Sequence, residues 1–213
     1  MSKHKFISFE GCEGSGKSTQ IGKLTRFLRE QGEEVILTRE PGGTPTGELI
    51  RNILQHDAAG EPVSPMAEAM LFAASRAQHV DHVIRPALES GKWVICDRFV
   101  DSSIAYQGSG RDLGNDEIME INRHAIRGCM PALTFLLDLP IDVAFERIAK
   151  RHIEQHTEAD RIEREKSEFH ESVRAAYLRL AEEHKERIHL VDATQDQAVI
   201  FAQIKETLGF VEA

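Results

Sequence analysis

The chain has 213 residues, of which 41% are hydrophobic, so it is long enough for one ordinary globular domain with a sizeable core. Its formal net charge of −9 argues against a broad nucleic-acid surface, because such surfaces neutralise phosphates with many basic side chains. No apolar run approaches the roughly 20 residues that a membrane-spanning helix needs. We therefore expect a single domain, residues 1–213, that binds neither nucleic acid nor a membrane.

The cysteines and the first residues bear on the compartment. Cys12, Cys96 and Cys129 show no C-x-x-C pairing, and we expect them to be free thiols in a reducing compartment. The segment Met1–Lys5 runs directly into an apolar, strand-like run, and no signal peptide is expected. The sequence therefore predicts a cytoplasmic protein.

In chain order, the first recognisable element is a phosphate-binding loop. The segment Gly11–Ser18 matches the pattern G-x-x-x-x-G-K-[ST], with an apolar strand-like run before it and a helix-like run after it. Its glycines let backbone N–H groups point at an anion, and the helix that follows adds the positive end of its dipole. Lys17 can reach the β- and γ-phosphates, and the Ser18 hydroxyl can ligate Mg²⁺. The predicted triphosphate-binding residues are Gly11, Cys12, Glu13, Gly14, Ser15, Gly16, Lys17, Ser18 and Thr19.

Short apolar runs alternate with longer helical patterns along the whole chain. This alternation predicts an α/β fold with a five-stranded parallel sheet and helices on both faces. The expected strands are Phe6–Phe9, Val35–Thr38, Trp93–Cys96, Leu133–Leu139 and Ile188–Val191.

The segment Arg39–Gly47 follows the second strand and contains two prolines and three glycines, so we expect a loop. It lies at the carboxyl end of a strand, where ligands bind in open α/β sheets. Arg39 can either grip a phosphate there or be a solvated residue of an ordinary turn, and its position alone does not decide between the two.

Ser64 and Pro65 are typical of a helix start, and the pattern predicts a long helix that ends near Ser90. Phe72 and Arg76 lie four residues apart on one face of it. An aromatic ring beside a guanidinium suits a flat heteroaromatic base, but an exposed Phe serves a subunit contact equally well, and spacing alone slightly favours the contact. The predicted core stripe of this helix is Met66, Met70, Ala73, Ala77, Val80, Ile84 and Ala87.

The third strand ends in Asp97 and Arg98. A carboxylate at that position is well placed for Mg²⁺ beside a phosphate loop, and the guanidinium for a transferring phosphoryl group. The polar stretch Asp101–Arg111 follows, and its position favours a functional role over a mere surface loop. Further on, the charged segment Lys150–Lys166 is either a solvated linker or a mobile lid that carries arginines.

Several segments, in this order along the chain, together resemble thymidylate kinases. The phosphate loop alone is generic, whereas TREPGGT, DRF and AYQGSGR are typical of this family. Gly14 stands where one form of the family carries a loop arginine, so the chain resembles the bacterial form, in which the lid supplies the catalytic arginine. The segments are FEGCEGSGKST, TREPGGT, MLFAASRAQ, DRF, DSSIAYQGSGR, LLDLP, DRIE and VDAT.

The resemblance implies the fold of P-loop kinases of nucleoside monophosphates. It also implies an enzyme that uses ATP and Mg²⁺ to phosphorylate dTMP to dTDP and that forms a homodimer. It also assigns roles to residues. Arg39 and Arg98 would grip the acceptor phosphate, Phe72 would stack on thymine, and Arg76 would hydrogen-bond the base. Ser103 and Gln107 would lie beside the base and sugar, and Tyr106 under the deoxyribose. Glu13 would approach the 3′-hydroxyl or a neighbouring arginine, and Asp97 would orient the metal shell.

The lid departs from the family pattern, because the segment between Lys150 and Asp160 is several residues longer than usual. Four arginines compete for the transferring phosphoryl group: Arg147, Arg151, Arg161 and Arg164. Arg161, within the matching DRIE, is the preferred catalytic arginine, followed by Arg151. Catalysis is expected to need positioning and charge neutralisation but no general base, because the acceptor phosphate is ionised near neutral pH.

Two other classes of protein remain open from the sequence. One is a kinase of the same fold for another nucleoside monophosphate or a small metabolite, which the TREPGGT and AYQGSGR stretches disfavour. The other is a nucleotide-dependent switch or a partition-type ATPase. The guanine-reading N-K-x-D is absent, and Cys12 stands where partition ATPases carry an extra lysine.

Overall fold

The computed structural model describes residues 5–56 and 60–210. The strands are β1 Phe6–Glu10, β2 Val35–Arg39, β3 Trp93–Asp97, β4 Leu133–Asp138 and β5 Ile188–Asp192. The helices are α1 Lys17–Glu30, α2 Pro45–Gln55, α3 Pro65–His79, α4 Arg85–Glu89, α5 Val100–Ser103, α6 Asn115–Ile126, α7 Ile141–Gln155, α8 Ser167–Glu183 and α9 Gln197–Thr207. Two π-helical segments, Val80–Ile84 and Ile104–Gly110, join α3 to α4 and extend α5.

The five strands form one all-parallel sheet in the order β2-β3-β1-β4-β5. The predicted fold class is therefore confirmed. Because β1 is central and all strands run the same way, the phosphate loop after β1 and the segments after β2 and β3 emerge at one edge of the sheet. This is the edge at which parallel sheets bind ligands.

Helices cover both faces of the sheet, because successive strand residues point to opposite sides. On one side, Ile7 and Phe9 pack with α1 and α9. On the other side, Phe6 packs with the π-helical segment Val80–Ile84 and with Phe99, and a neighbouring cluster joins β4 to α8. Within the described residues, no helix is both long and apolar enough to cross a bilayer.

Helix α2 was not foreseen, because the prolines and glycines of the preceding segment read as a loop. Thr44 caps the helix by accepting a hydrogen bond from the Gly47 N–H at 2.9 Å, and Pro45 occupies its first turn, where a missing N–H costs nothing. The loop after β2 therefore ends at Thr44. The same pattern of a hydroxyl residue followed by proline correctly predicts the start of α3, where Ser64 is the N-cap and Pro65 is the first helical residue.

Two other expectations are corrected, at Met70 and at the start of the charged segment, and one alternative is excluded. Met70 is 56% exposed and does not belong to the core stripe of α3. The alternative that the stretch after Arg98 is a mere surface loop is excluded, because α5 and the π-helical segment that follows are buried from Val100 to Gly108. Helix α7 continues to Gln155, so the first six residues of the charged segment from Lys150 are helical. We call residues 156–166, which follow α7, the lid.

Candidate active site

A cavity of about 780 Å³ opens at the carboxyl edge of the sheet, between the phosphate loop, the ends of β2 and β3, and the lid. Most of the residues predicted to bind substrates line it: Glu13, Gly14, Gly16, Lys17, Ser18, Thr19, Arg39, Phe72, Asp97, Arg98, Tyr106, Gln107 and Arg151. Gly11, Cys12 and Ser15 lie in the same loop but behind its surface, and Arg76, Ser103 and Arg161 are also outside the lining.

The glycines of the phosphate loop are required by close approaches and by backbone conformation. Gly11 has φ 129°, and a Cβ there would lie 2.3 Å from the Leu137 carbonyl oxygen. Gly14 has φ 76°, and a Cβ there would lie 2.8 Å from the Ala144 oxygen. Gly16 is the left-handed N-cap of α1, so the helix opens towards the cavity. The loop therefore packs tightly against β4 and α7.

Lys17 and Ser18 begin α1 at this loop. The Lys17 ammonium is buried and donates to the carbonyl oxygens of Gly11 and Cys12 at 2.9 and 3.0 Å. Burial, together with the nearby Arg98, lowers the pKa of Lys17. The Ser18 hydroxyl donates to the Asp97 carboxylate across 3.4 Å. A hydroxyl and a carboxylate thus face the cavity beside the phosphate loop.

Arg98 is the centre of the site. It donates to Glu13 at 2.7 Å and contacts the hydroxyls of Tyr106, Ser102 and Tyr177, each at 3.1 Å. Its backbone φ of 69° is left-handed, a conformation that costs a non-glycine residue about 1–2 kcal/mol. Several contacts therefore hold a strained backbone, which fixes this guanidinium at the cavity wall.

The electrostatics of Glu13 follow from that contact. Burial alone raises the pKa of a carboxyl, but Arg98 and Lys17 outweigh it and lower the pKa of Glu13 to about 2. The Tyr106 hydroxyl also donates to Glu13, at 2.7 and 2.9 Å to the two oxygens. Glu13 is therefore ionised at neutral pH and is engaged by Arg98 and Tyr106.

Glu10 lies behind Arg98 and was not predicted to be a site residue. It accepts hydrogen bonds from the Phe99 N–H at 2.7 Å, the Ser102 hydroxyl at 2.6 Å and the Tyr177 hydroxyl at 2.8 Å. Burial, with a smaller contribution from Asp101, raises the pKa of Glu10 to about 7. The only sequence signal was a carboxylate at the end of the strand before the phosphate loop.

Arg76 is 1% exposed and lies behind the cavity rather than on its surface. It donates to Glu40 at 2.7 Å, Ser103 at 3.0 Å and the Phe99 carbonyl at 3.2 Å, and it also contacts Asn122. The alternative that Arg76 belongs to an exposed subunit-contact face is therefore wrong. Phe72, one turn earlier on the same helix face, is half-buried and lines the cavity.

Arg39 is exposed at the cavity and forms an ion pair with Glu48 of α2 at 2.8 Å. Arg51, also on α2, lines the cavity and donates to the Pro41 carbonyl at 3.0 Å. Burial, together with the nearby Arg39, lowers the pKa of Arg51. Arg51 was missed because α2 itself was not predicted.

The arginines of α7 and the lid differ in where they point. Arg147 and Arg151 line the cavity, and Arg151 forms an ion pair with Glu163 of the lid. Arg161 does not line the cavity, because it donates to the Leu54 carbonyl at 2.8 Å and to Glu68 at 2.6 Å. The residue preferred from the sequence as the catalytic arginine thus lies outside the lining of the cavity.

Comparison with known proteins agrees with the sequence motifs. The family model for thymidylate kinase matches residues 9–204. Thymidylate kinase of Limosilactobacillus reuteri is 46% identical over 206 residues, which are 96% of this chain and 95% of that protein. That of Halothermothrix orenii is 49% identical over 199 residues, 93% of each chain.

A solved structure extends the likeness to three dimensions. The crystal structure of thymidylate kinase from Ehrlichia chaffeensis superimposes with a TM-score of 0.76 at 32% identity, over 96% of this chain and 97% of that one. Sequence and fold thus agree over nearly the whole chain. The chain therefore belongs to the thymidylate kinase family, and the reaction it catalyses is the ATP-dependent phosphorylation of dTMP to dTDP.

Proposed function

We propose that the large cavity is where the phosphoryl group passes directly from ATP to dTMP. The observation that carries this proposal is the convergence of Lys17 and Arg98 on one cavity that also contains the aromatic ring of Phe72. The loop residues Gly11–Ser18 would hold the ATP phosphates through their N–H groups and the end of α1, and Thr19 follows in the same turn. The acceptor would enter from the side of β2 and α3.

The acceptor phosphate would lie between Arg39 and Arg98, both of which line the cavity. Phe72 would stack on the thymine ring. Arg76 would influence the base from behind the cavity wall, by holding the residues that form the wall in place. Its N–H groups already donate to four protein oxygens, including that of Ser103. Gln107 lines the cavity and is the polar group best placed beside the base.

The sugar would lie near Tyr106, whose ring faces Phe169 and Tyr177 edge-on and whose hydroxyl donates to Glu13. A ring held on two sides cannot move aside for an added 2′-hydroxyl, which supports the role of Tyr106 in selecting deoxyribose. Glu13 would then meet the 3′-hydroxyl or hold Arg98 in place.

We propose that Ser18 and Asp97 hold Mg²⁺. The hydroxyl and carboxylate oxygens are hard ligands of the kind Mg²⁺ prefers, and two protein ligands suffice when substrate phosphates and water complete the shell. Among the described residues, no group of three or more histidine, cysteine, aspartate or glutamate side chains could hold a metal by itself. When bound, Mg²⁺ would neutralise charge that develops on the phosphate oxygens.

The lid arginine that meets the transferred group is proposed from position. Arg151 lines the cavity and would reach the phosphoryl group by leaving Glu163, whereas Arg161 would first have to leave Glu68. We retain both as catalytic candidates, with the lid as a mobile part of a single kinase domain. Lys17, Arg98 and the lid arginine would then neutralise the transition state, and no general base is required.

We also propose a homodimer and a cytoplasmic location. Helices α2 and α3 pack together and expose apolar side chains: Leu49 at 70%, Ile53 at 37% and Met70 at 56%. Such a surface suits a second copy of the chain, and sedimentation of Leu49→Glu beside the unchanged protein would test it. The free thiols Cys12, Cys96 and Cys129 suit a reducing compartment.

The deciding experiment is an ATP-dependent phosphorylation assay with dTMP, dUMP, UMP, CMP, AMP and GMP, in which the diphosphate is quantified. We expect strong preference for dTMP and weak use of dUMP. Better turnover of another nucleotide would leave the phosphate site intact but overturn the base and sugar contacts. Lys17→Met should abolish turnover while circular dichroism shows an intact fold, and substantial residual activity would contradict the role of Lys17.

A further inference from the structure

Glu68 is a fully buried carboxylate on α3 that belongs to none of the roles described above. One of its oxygens accepts from the Gln107 amide at 2.8 Å and from Arg111 at 3.3 Å. The other accepts from Arg111 at 3.3 Å and from Arg161 of the lid at 2.6 Å. A single side chain therefore joins α3, the π-helical segment after α5, and the lid.

The contact with Gln107 has a defined chemistry. A carboxylate only accepts hydrogen bonds, so the NH₂ end of the Gln107 amide must face Glu68. The amide oxygen and the remaining N–H are thereby directed elsewhere. Because Gln107 and Phe72 both line the cavity, Glu68 fixes which polar atoms this amide presents to a base.

The contact with Arg161 is part of the attachment of the lid. Arg161 also donates from its side chain to the Leu54 carbonyl at 2.8 Å and from its backbone to the Gln55 carbonyl at 3.2 Å. A second ion pair joins Arg111 to Glu165 of the lid at 2.6 Å. The lid is thus docked on the end of α2 and on Glu68.

The contacts of Glu68 with Gln107, Arg111 and Arg161 depend on one another, because all of them are made to one buried charge. The Glu68 carboxylate is buried, so each of its hydrogen-bonded partners offsets part of the free-energy cost of removing its charge from water. Displacement of Arg161 from Glu68 would leave the carboxylate with Arg111 and Gln107 alone. A shift of Gln107 would likewise remove one hydrogen bond that holds the Glu68 carboxylate in position to accept from Arg161 of the lid.

We propose that Glu68 is a positioning residue that couples recognition of the base by Gln107 to docking of the lid through Arg161. The proposal rests on the proposed function in one respect, namely that the base lies beside Gln107. Coupling of this kind is reciprocal, so a base that orders Gln107 must stabilise the docked lid, and a docked lid must strengthen binding of the base.

The test measures binding and lid protection together. Wild type, Glu68→Gln and Arg161→Met are titrated calorimetrically with dTMP and with ATP, and hydrogen exchange of residues 157–166 is followed with and without dTMP. In wild type, dTMP should slow exchange in the lid. Both variants should lose that slowing and bind dTMP about five- to thirtyfold more weakly, and Glu68→Gln should leave ATP binding unchanged.

The double variant should bind dTMP no more weakly than either single variant, because both substitutions break the same link. Lys166→Met removes an exposed positive charge from the lid and is the matched control, with wild-type affinity and protection expected. If Glu68→Gln does not fold, Arg161→Met carries the test, since Arg161 lies outside the cavity.

Two results would overturn the coupling. Weaker dTMP binding with lid protection retained would confine Glu68 to the base pocket, and a faster-exchanging lid with unchanged dTMP affinity would confine it to the lid. A wild-type protein that does not bind dTMP would instead overturn the proposed function, and the coupling with it. Wild-type binding and turnover are therefore measured first.

Discussion

The buried carboxyl of Glu10 gives the sharpest stability prediction. Burial, followed by Asp101, raises its pKa from the ordinary 4.5 to about 7. The folded protein therefore holds a proton on Glu10 at pH values where the unfolded chain has released it. The stability that this proton contributes is fully present below pH 4.5 and is lost as the pH rises through 7.

The magnitude follows from the two pKa values. One pKa unit corresponds to about 1.4 kcal/mol, so the difference between 4.5 and about 7 corresponds to about 3 kcal/mol of unfolding free energy. Glu10→Gln replaces the protonated carboxyl with a group of the same shape that does not titrate. The amide oxygen can still accept from the Phe99 N–H, and the hydroxyls of Ser102 and Tyr177 can rotate to accept from the NH₂ group.

Urea unfolding of wild type and Glu10→Gln from about pH 5 to pH 8 measures the difference directly, because other titrating groups cancel. We expect wild type to lose about 2–3 kcal/mol relative to the variant over this range. Glu183→Gln makes the same charge change on an exposed part of α8 and controls for net charge. A wild-type-minus-variant difference that does not change with pH would refute a raised pKa for Glu10.

The remaining predictions concern turnover. Tyr106→Ala should raise activity on the ribo-analogue of dTMP relative to dTMP, and an unchanged preference in a competition assay would exclude Tyr106 as the sugar selector. Arg151→Met should lower kcat by about two to three orders of magnitude with little change in KM for dTMP, as for loss of one transition-state contact. If Arg161→Met lowers kcat by this amount and Arg151→Met does not, Arg161 is the catalytic arginine. Asp97→Asn should raise the Mg²⁺ concentration for half-maximal rate; an unchanged Mg²⁺ dependence would remove the carboxylate from the metal site.

The sheet could be predicted from sequence because each strand is a short apolar run and each is paired in parallel. The phosphate loop was equally visible, since its glycines, Lys17 and Ser18 are consecutive. Helix α2 was not, because Pro45 and Gly47 are as typical of a loop as of a first helical turn. Arg51 lies on α2 and lines the cavity, so it was not predicted as a site residue either.

Burial was the harder quantity to predict. Arg76 and Met70 share a helix, and spacing assigned the Met to the core, whereas the structure buries the Arg and exposes the Met. Periodicity shows which residues share one face of a helix. It does not show whether other segments supply hydrogen-bond partners that allow a polar residue on that face to be buried. Glu40, 36 residues from Arg76 in sequence, compensates the buried charge and no local pattern indicates it. The roles of Glu10 and Glu68 were hidden for the same reason.

The cations of the site are paired with acceptors that the protein itself supplies. Arg39 pairs with Glu48, Arg98 with Glu13, and Arg151 with Glu163, while Lys17 donates to two carbonyls of its own loop. When a polyphosphate binds, each of these cations exchanges a protein acceptor for a phosphate oxygen. The binding free energy gained is therefore smaller than an unpaired cation would supply. Such a site gives up affinity but places each cation in advance. Because placement, rather than attraction for the ground state, lowers the barrier to phosphoryl transfer, pre-paired cations suit an enzyme that must also release its products.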